Sequence, residues 1–275
     1  MKTTRAKRRY GQHFLEPAWV DKVVRLIDPR PDETFIEIGP GRGALTRPLA
    51  ARAKAITAYE IDRELAAELR EESSPNVTII QGDFLEANPE PRPPNPIRVA
   101  GNLPYNVASP ILFKLVDLSR RGIALGDATV MLQREVADRV AARPGSRDYG
   151  VLSVLIQHRA SVERLLVLPP GAFRPPPKVH SAVVRLRFHA PDPPVRDEQR
   201  LADLVQAVFT RRRKTLANAL LALRVRTGSG TGPTRIGPAE ALTALTAAEL
   251  DGRRRPETLT VAEFVRLADT LSSNA

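Results

Sequence analysis

A tetrapeptide near the middle of the chain, Asn102-Leu103-Pro104-Tyr105, places two hydrogen-bond acceptors beside an aromatic ring. An adenine amine is a poor nucleophile because its lone pair is delocalised into the ring. The side-chain oxygen of Asn102 and the carbonyl oxygen of Pro104 would hold its two N–H groups and favour the pyramidal nitrogen needed for attack. Tyr105 would stack on the base. The alternative is an ordinary proline turn beside a buried tyrosine, a common meaning of this pattern.

A glycine-rich turn, residues 37–43, lies between a predicted strand and a predicted helix. Gly39 and Gly41 would let the backbone approach a ligand at the helix N-terminus. Glu60 ends the next predicted strand, where an acid can accept both hydroxyls of a ribose. The G-x-G-x-G spacing is not that of a pyrophosphate site, and Glu37 would repel phosphate. The pattern therefore favours S-adenosylmethionine, which carries an ammonium group and no phosphate, over a dinucleotide or a purely structural turn.

Asp83 and Phe84 follow the third predicted strand. Asp83 can accept a hydrogen bond from the adenine amine of the cofactor, and Phe84 can pack nearby. A turn aspartate beside a core phenylalanine is the structural alternative.

These residues need a sheet to bring them together, and the chain alternates strand and helix patterns. Predicted strands lie at 34–38, 55–59, 77–80, 97–100 and 128–132, with strand-like runs at 151–157 and 180–188. Helices are predicted at 17–28, 62–72, 109–119 and 134–142, with another after the glycine turn. The alternation indicates an α/β fold with a parallel, doubly wound sheet.

The pattern changes after residue 192 to short amphipathic helices with no strand between them. These helices are predicted at 201–209, 215–223, 239–245 and 261–271. The predicted organisation is a basic tail over residues 1–15, an α/β domain over 16–192 and a small all-helical domain over 195–275.

Composition narrows the class of partner. The chain has 275 residues, a formal net charge of +11 and no cysteine. The positive charge favours nucleic acid, while the lack of cysteine excludes disulfides and thiolate metal sites. None of the four histidines has helical metal-ligand spacing, so no metal is expected. Because no apolar run is long enough to span a membrane, a soluble, cytoplasmic protein without a membrane partner is predicted.

Several motifs occur together, in order, along nearly the whole chain. The chain resembles the KsgA (RsmA) family of ribosomal RNA small-subunit adenine N6-dimethyltransferases. The matching stretches are 11–15, 37–46, 82–85, 102–112, 132–136, 149–153, 173–186 and 211–220.

The resemblance implies a Rossmann-like, S-adenosylmethionine-dependent methyltransferase domain followed by a small all-helical C-terminal domain. The implied substrate is two adjacent adenosines in the 3′-terminal hairpin loop of 16S rRNA, each dimethylated at N6 during maturation of the small subunit. The implied partner is small-subunit rRNA within a pre-30S particle, and a monomer is expected.

The resemblance also implies roles for individual residues. Cofactor contacts fall on His13, Leu15, Gly39, Glu60, Asp83 and Asn102. His13 is a departure, since the bacterial enzymes usually have asparagine there, although an imidazole can still donate a hydrogen bond. Phe173 would close the target pocket against Tyr105, the alternative being a structural phenylalanine that anchors a polyproline turn. The cluster Arg211-Arg212-Arg213-Lys214 would contact the RNA backbone or, alternatively, form only a solvated helix face.

Other functions remain open. An erythromycin-resistance type 23S rRNA adenine methyltransferase shares the fold and chemistry, although Leu103 and residues 211–220 resemble the small-subunit enzymes more. A ribosome-assembly binding factor with secondary catalysis is a further alternative. A DNA adenine methyltransferase is disfavoured because no sizeable target-recognition insert interrupts residues 34–190. A nicotinamide dehydrogenase is disfavoured by the spacing of the glycine turn.

Overall fold

The computed structural model describes residues 12–89, 96–225 and 234–272. Residues 1–11, which hold most of the predicted basic tail, lie outside the described residues. The chain forms two compact units, the first ending at Asp138 and resuming over Ala160–His189, the second comprising Arg139–Arg159 and Ala190–Ala275. The boundary predicted near residue 192 lies close to Ala190, where the C-terminal stretch of the second unit begins, but residues 139–159, predicted within the α/β domain, belong to the second unit.

A seven-stranded sheet organises the first unit. Its strands are β2 (Thr34–Ile38), β3 (Ala55–Glu60), β4 (Val77–Gln81), β5 (Ile97–Asn102), β6 (Leu125–Gln133), β7 (Ala160–Leu168) and β9 (Ser181–Phe188), while β1 (Phe14–Leu15) and β8 (Phe173–Arg174) form a separate pair. The order across the large sheet is β4-β3-β2-β5-β6-β9-β7. Strands β2 to β6 pair in parallel, whereas β9 is antiparallel to both of its neighbours, β6 and β7.

The helices of the first unit form where apolar residues recur with helical spacing and where a proline or a capping side chain marks the start of the helix. They are α1 (Pro17–Ile27), α2 (Thr46–Ala50), α3 (Arg63–Glu72), α4 (Ala108–Arg120) and α5 (Arg134–Val140), and the last two residues of α5 belong to the second unit. Helix α1 starts with proline in its first turn and buries Val23, Val24 and Ile27. The Asp62 carboxylate caps α3 by accepting the N–H of Glu64.

The sheet topology decides which residues share an edge. Parallel strands place their carboxyl ends at one edge of a sheet, where ligands bind in open α/β folds. The antiparallel β9 runs the opposite way, so its first residue, Ser181, pairs with Gln133 at the end of β6. Residues at the start of β9 therefore lie at the same edge as the ends of β2 to β5.

Two strand predictions were wrong. The sheet is mixed rather than parallel throughout, because β9 runs antiparallel to β6 and β7. In addition, Ala160–Leu168 is a strand that was not predicted. The run Val151–Gln157, predicted as a strand, is helix α6. The Ser153 hydroxyl accepts the N–H of Gly150 at the helix start and donates to the carbonyl of Arg139. A short apolar run has no period that separates strand from helix, and these local bonds favour the helix.

The second unit is helical around one apolar core. It contains α6, α7 (Glu198–Phe209), α8 (Leu216–Leu220), α9 (Pro238–Ala247) and α10 (Val261–Ser272). Leu204, Leu216 and Phe264 are fully buried in this core. The prediction of no strand here was also wrong, since Arg224–Val225 (β10) and Thr234–Arg235 (β11) pair antiparallel.

In the part of the chain that the structure describes, no helix has the length and apolarity needed to cross a membrane.

Candidate active site

A cavity of about 320 Å³ opens at the sheet edge where β2, β3 and β5 end. Ten of the predicted cofactor and target residues line it, although they come from five separate stretches of chain. They are His13, Leu15, Gly39, Gly41, Glu60, Asp83, Phe84, Asn102, Pro104 and Tyr105. The volume lies at the lower end of the range for small-molecule sites.

The glycine turn after β2 is built from left-handed backbone. Gly39 has φ of +69° and Gly41 has φ of +58°, a region that side chains with a Cβ rarely adopt. A Cβ on Gly41 would also lie 3.1 Å from the Phe14 ring. The turn thus brings main-chain groups to the cavity wall with no side chain between them.

Glu60 fixes this turn to β3. Its Oε2 accepts the N–H of Gly41 at 2.9 Å, and its Oε1 accepts the N–H of Asp62 at 2.9 Å. Burial raises the pKa of the Glu60 carboxyl, and the two backbone N–H groups partly counter that effect. Because each carboxylate oxygen has a further lone pair, both can still accept a ligand hydroxyl.

Glu37 also lines the cavity, where its position in the sequence predicts only that it would repel phosphate. It is 1% exposed, and its Oε2 has no hydrogen-bond partner among the residues that the structure describes. Burial raises the pKa of Glu37 to about 8, and the negative charge of Glu60 adds to the rise. The sequence signal that could have identified Glu37 as a site residue is its position as an acid inside a predicted apolar strand. A cationic group bound beside it would favour the ionised carboxylate and supply the missing partner, so the site suits such a group.

We expect Glu37 to make folding stability depend on pH. Between pH 4.5 and about 8 the folded protein holds a proton that the unfolded chain has lost, so stability falls as pH rises through this window. The expected slope is on the order of 1 kcal/mol per pH unit. Urea unfolding at pH 5 and pH 8 should show a smaller pH-dependent loss in Glu37→Gln, while the exposed-site control Glu71→Gln should match the wild type. Equal losses in all three would contradict the assignment.

Asp83 and Phe84 complete the wall beyond β4. Asp83 Oδ1 accepts the N–H of Leu85 at 2.9 Å, which caps a short 3₁₀ helix, Phe84–Glu86. Phe84 is 4% exposed and meets the Tyr59 ring edge-to-face at 5.4 Å. The cap and the aromatic contact together hold this turn against β3.

The tetrapeptide after β5 presents its acceptors in a defined orientation. Asn102 Nδ2 donates to the His13 carbonyl at 2.7 Å, leaving Oδ1 as the acceptor of that side chain. The Pro104 carbonyl accepts the N–H of Val107 at 3.1 Å and retains a second lone pair. The N–H of Leu103 donates to the Met131 carbonyl on β6 at 3.2 Å.

His13 and Tyr105 stack with 5.2 Å between ring centroids and 27° between planes. His13 Nδ1 also lies 2.7 Å from the Pro175 carbonyl, a geometry in which the ring donates. The main-chain carbonyl of His13 therefore contacts the side-chain amide of Asn102, while the His13 ring faces Tyr105.

Phe173 is not at the cavity, contrary to its predicted position against Tyr105. It is 2% exposed and lies in the core of the first unit, with β8 paired to β1 in the register Leu15 to Phe173. Its side chain is buried in this core and is not among the residues that line the cavity, so its role beside a target base stays a prediction. The structural alternative, a core phenylalanine beside the proline run, describes what is seen.

The cluster Arg211–Lys214 belongs to the second unit, in the segment between α7 and α8. Its role in RNA binding stays a prediction.

The sheet order, the left-handed glycine turn and the acid at the end of β3 define a Rossmann-like methyltransferase domain. A family model described as "Ribosomal RNA adenine dimethylase" matches residues 3–252. The chain belongs to this family and is an rRNA adenine dimethyltransferase.

Relatives and solved structures agree with this assignment. A protein of Xanthomonas euvesicatoria pv. vesicatoria, named "Ribosomal RNA small subunit methyltransferase A", is 45% identical over 96% of this chain and 95% of its own length. A protein of the same name from Leptothrix cholodnii is 43% identical over 95% and 90%. The 23S rRNA methyltransferase ErmE is 31% identical, with a TM-score of 0.65 over 94% of this chain and 99% of that one.

A dimethyladenosine transferase from Plasmodium falciparum has the same fold, with a TM-score of 0.75 over 93% of this chain and 96% of its own at 24% identity. The predictions of family, fold class, rRNA methyltransferase activity and S-adenosylmethionine as cofactor are confirmed.

Proposed function

We propose that this enzyme dimethylates N6 of two adjacent adenosines in the 3′-terminal hairpin loop of 16S rRNA. The observation that carries the chemistry is the pair of acceptors, Asn102 Oδ1 and the Pro104 carbonyl, beside Tyr105 at the cavity. The choice of the small subunit is supported by relatives 43% to 45% identical that bear this name. We further propose that it works in the cytoplasm on pre-30S particles, as a monomer.

S-adenosylmethionine supplies an electrophilic methyl group on sulfur. We assign the adenine amine to the Asn102 and Pro104 acceptors, which hold its N–H groups and stabilise positive charge as the N–C bond forms and the S–C bond breaks in line. The proton leaves the methylated amine to water, so no strong base is needed. Tyr105 stacks on a base taken out of any helix, which suits a hairpin loop better than a duplex.

We assign the cavity residues to different parts of the cofactor. Glu60 accepts the ribose hydroxyls, and Asp83 accepts from the adenine amine with Phe84 packed nearby. The main chain at Gly39 and Gly41 borders the methionine portion, where the buried Glu37 suits its ammonium group. His13 and Leu15 close the cavity from the N-terminal side. This division is supported by the shared lining of one cavity and by the partners already described.

The second unit gathers further basic side chains around the predicted RNA cluster. Arg212 donates to the Ser146 carbonyl at 3.1 Å, which places the loop carrying Arg147 beside it. The N–H of Leu216, just after the cluster, donates to the Arg254 carbonyl at 2.6 Å. Three loops far apart in sequence therefore meet. The exposed cations on them, Arg143, Arg147, Arg213, Lys214 and Arg255, make no ion pair with any residue that the structure describes.

We expect these exposed cations to set the salt dependence of RNA binding. Replacing Arg147, Arg213 and Lys214 by glutamine should weaken binding of small-subunit rRNA and flatten the log–log salt slope by somewhat under one unit per lost phosphate contact. Cofactor affinity should not change. The matched control Arg52→Gln, Lys54→Gln, Arg63→Gln removes the same charge from exposed positions of the first unit. If both triple variants keep the wild-type slope, the cluster is only a solvated surface.

A second candidate is methylation of 23S rRNA, favoured by the 31% identity to ErmE over nearly the whole chain. The two substrates are distinguished by incubating the enzyme with unmethylated small subunits and, separately, with large subunits. We expect dimethyladenosine only in the small subunit, at two neighbouring positions on mapping by mass spectrometry. Modification confined to the large subunit would overturn the proposal.

A further inference from the structure

The hydroxyl of Tyr105 is bound to a residue that lies far from it in sequence. Tyr105 Oη and Ser181 Oγ are 2.6 Å apart. Burial raises the pKa of the Tyr105 hydroxyl, so the neutral phenol is the form that makes this bond. The tyrosine is half-buried at the cavity, whereas Ser181 is fully buried.

Ser181 is a rigid point of attachment. It is the first residue of β9, and its main chain pairs with Gln133 on β6 and Leu168 on β7. A residue held by a strand on each side has little freedom to follow a moving partner. The loop that carries Tyr105 is tied to the neighbouring strand as well, through the hydrogen bond from Leu103 to Met131.

The ring of Tyr105 is thus held at its hydroxyl by Ser181 and covered on one face by His13. Without the hydroxyl contact, rotation about χ1 would let the ring swing to other staggered positions, whereas the stack on His13 restrains the plane of the ring. Because His13 covers one face of the ring, a base held by Asn102 and Pro104 would stack on the other face. Loss of the anchor would lower the fraction of molecules ready to accept the base, and the rate would fall with that fraction.

We propose that Ser181 is a positioning residue that holds the Tyr105 ring in the orientation that stacks on the target adenine. This inference rests on the proposed function, in which Tyr105 contacts the base. Ser181 itself touches neither the base nor the methyl donor and acts only through the tyrosine hydroxyl.

A double-mutant cycle tests this proposal. Ser181→Ala and Tyr105→Phe each remove one partner of the same bond, so each should lower single-turnover methyl transfer to small subunits by about tenfold. The double variant should be no slower than either single variant, because the bond is lost only once. Ser181→Thr retains a hydroxyl and should recover most of the rate. The dissociation constant for S-adenosylmethionine should stay unchanged throughout.

A control separates positioning from a general loss of stability. Thr129→Val removes another buried hydroxyl, one that accepts from Arg185 of β9 at 3.1 Å and lies outside the cavity. Its thermal unfolding should shift like that of Ser181→Ala, with methyl transfer at the wild-type rate. A wild-type rate in Ser181→Ala, effects that multiply in the double variant, or weakened cofactor binding would each overturn the proposal.

Different results would contradict the proposed function itself. These are a wild-type enzyme that does not modify small subunits, or a Tyr105→Ala variant that transfers methyl groups at the full rate. If Tyr105→Ala is impaired while Ser181→Ala is normal, the base-stacking role of Tyr105 stands and only the role of Ser181 is lost.

Discussion

Asn102→Ala is expected to lower the rate of methyl transfer by about 100- to 1000-fold while both ligands still bind. The amide oxygen acts where positive charge develops on the attacking nitrogen, and by analogy with the loss of an oxyanion-hole donor its removal should raise the barrier by about 2.7–4 kcal/mol. The hydrogen bond from the Asn102 amide nitrogen to the His13 carbonyl also fixes the orientation of this oxygen. Single-turnover assays on unmethylated small subunits, with nucleoside analysis, measure the effect.

The matched control is Asn76→Ala. The Asn76 amide also donates to main-chain carbonyls, those of Ala50 and Ala53, but it lies outside the cavity. Its rate should equal that of the wild type. A wild-type rate in Asn102→Ala would refute the proposed mechanism, and growth of cells carrying this variant would show whether binding alone supports ribosome assembly.

The second methylation gives an independent readout for the same residue. A monomethylated amine has only one N–H, so Asn102 and Pro104 can no longer both accept from it. Asn102→Asp replaces the donor to the His13 carbonyl with a carboxylate oxygen, which misplaces the acceptor without deleting it. We expect this variant to accumulate monomethyladenosine. Equal slowing of both steps would show that the two methylations use Asn102 in the same way.

Glu60→Ala is expected to weaken S-adenosylmethionine binding by at least about tenfold, because both ribose hydroxyls lose a charged acceptor. Hydrogen bonds to a charged acceptor contribute about 1.5–3 kcal/mol each. The structure enlarges the expected effect, since the same carboxylate also holds the N–H groups of Gly41 and Asp62. Calorimetry with S-adenosylmethionine measures the loss directly.

Two further variants test whether the loss of S-adenosylmethionine affinity comes from the Glu60 carboxylate. Glu60→Gln keeps one acceptor oxygen and should retain an intermediate affinity, while the exposed-site control Glu71→Ala should bind as the wild type does. Unchanged affinity in Glu60→Ala would remove this carboxylate from the cofactor site.

The sequence by itself determined the order of chemical groups along the chain. The glycine turn, the acid at Glu60, the Asp83 turn and the Asn102–Tyr105 tetrapeptide each follow an apolar strand pattern. Strand patterns that alternate with helices place such turns at one edge of a sheet. Local signals were therefore enough to bring eight predicted residues to one cavity, whereas His13 and Leu15 were predicted only from the family resemblance.

Tertiary structure decided what local patterns leave open. A short apolar run such as Val151–Gln157 has no period that favours strand over helix, and its capping bonds within the second unit selected the helix. Phe173 was placed by its pairing with Leu15, a residue far away along the chain. The hydrogen-bond partner of the Tyr105 hydroxyl could not be predicted from local patterns either. Only the antiparallel direction of β9 brings Ser181 to the edge where the parallel strands end. Contacts between distant residues depend on strand order and direction, which are properties of the assembled sheet and not of any single segment.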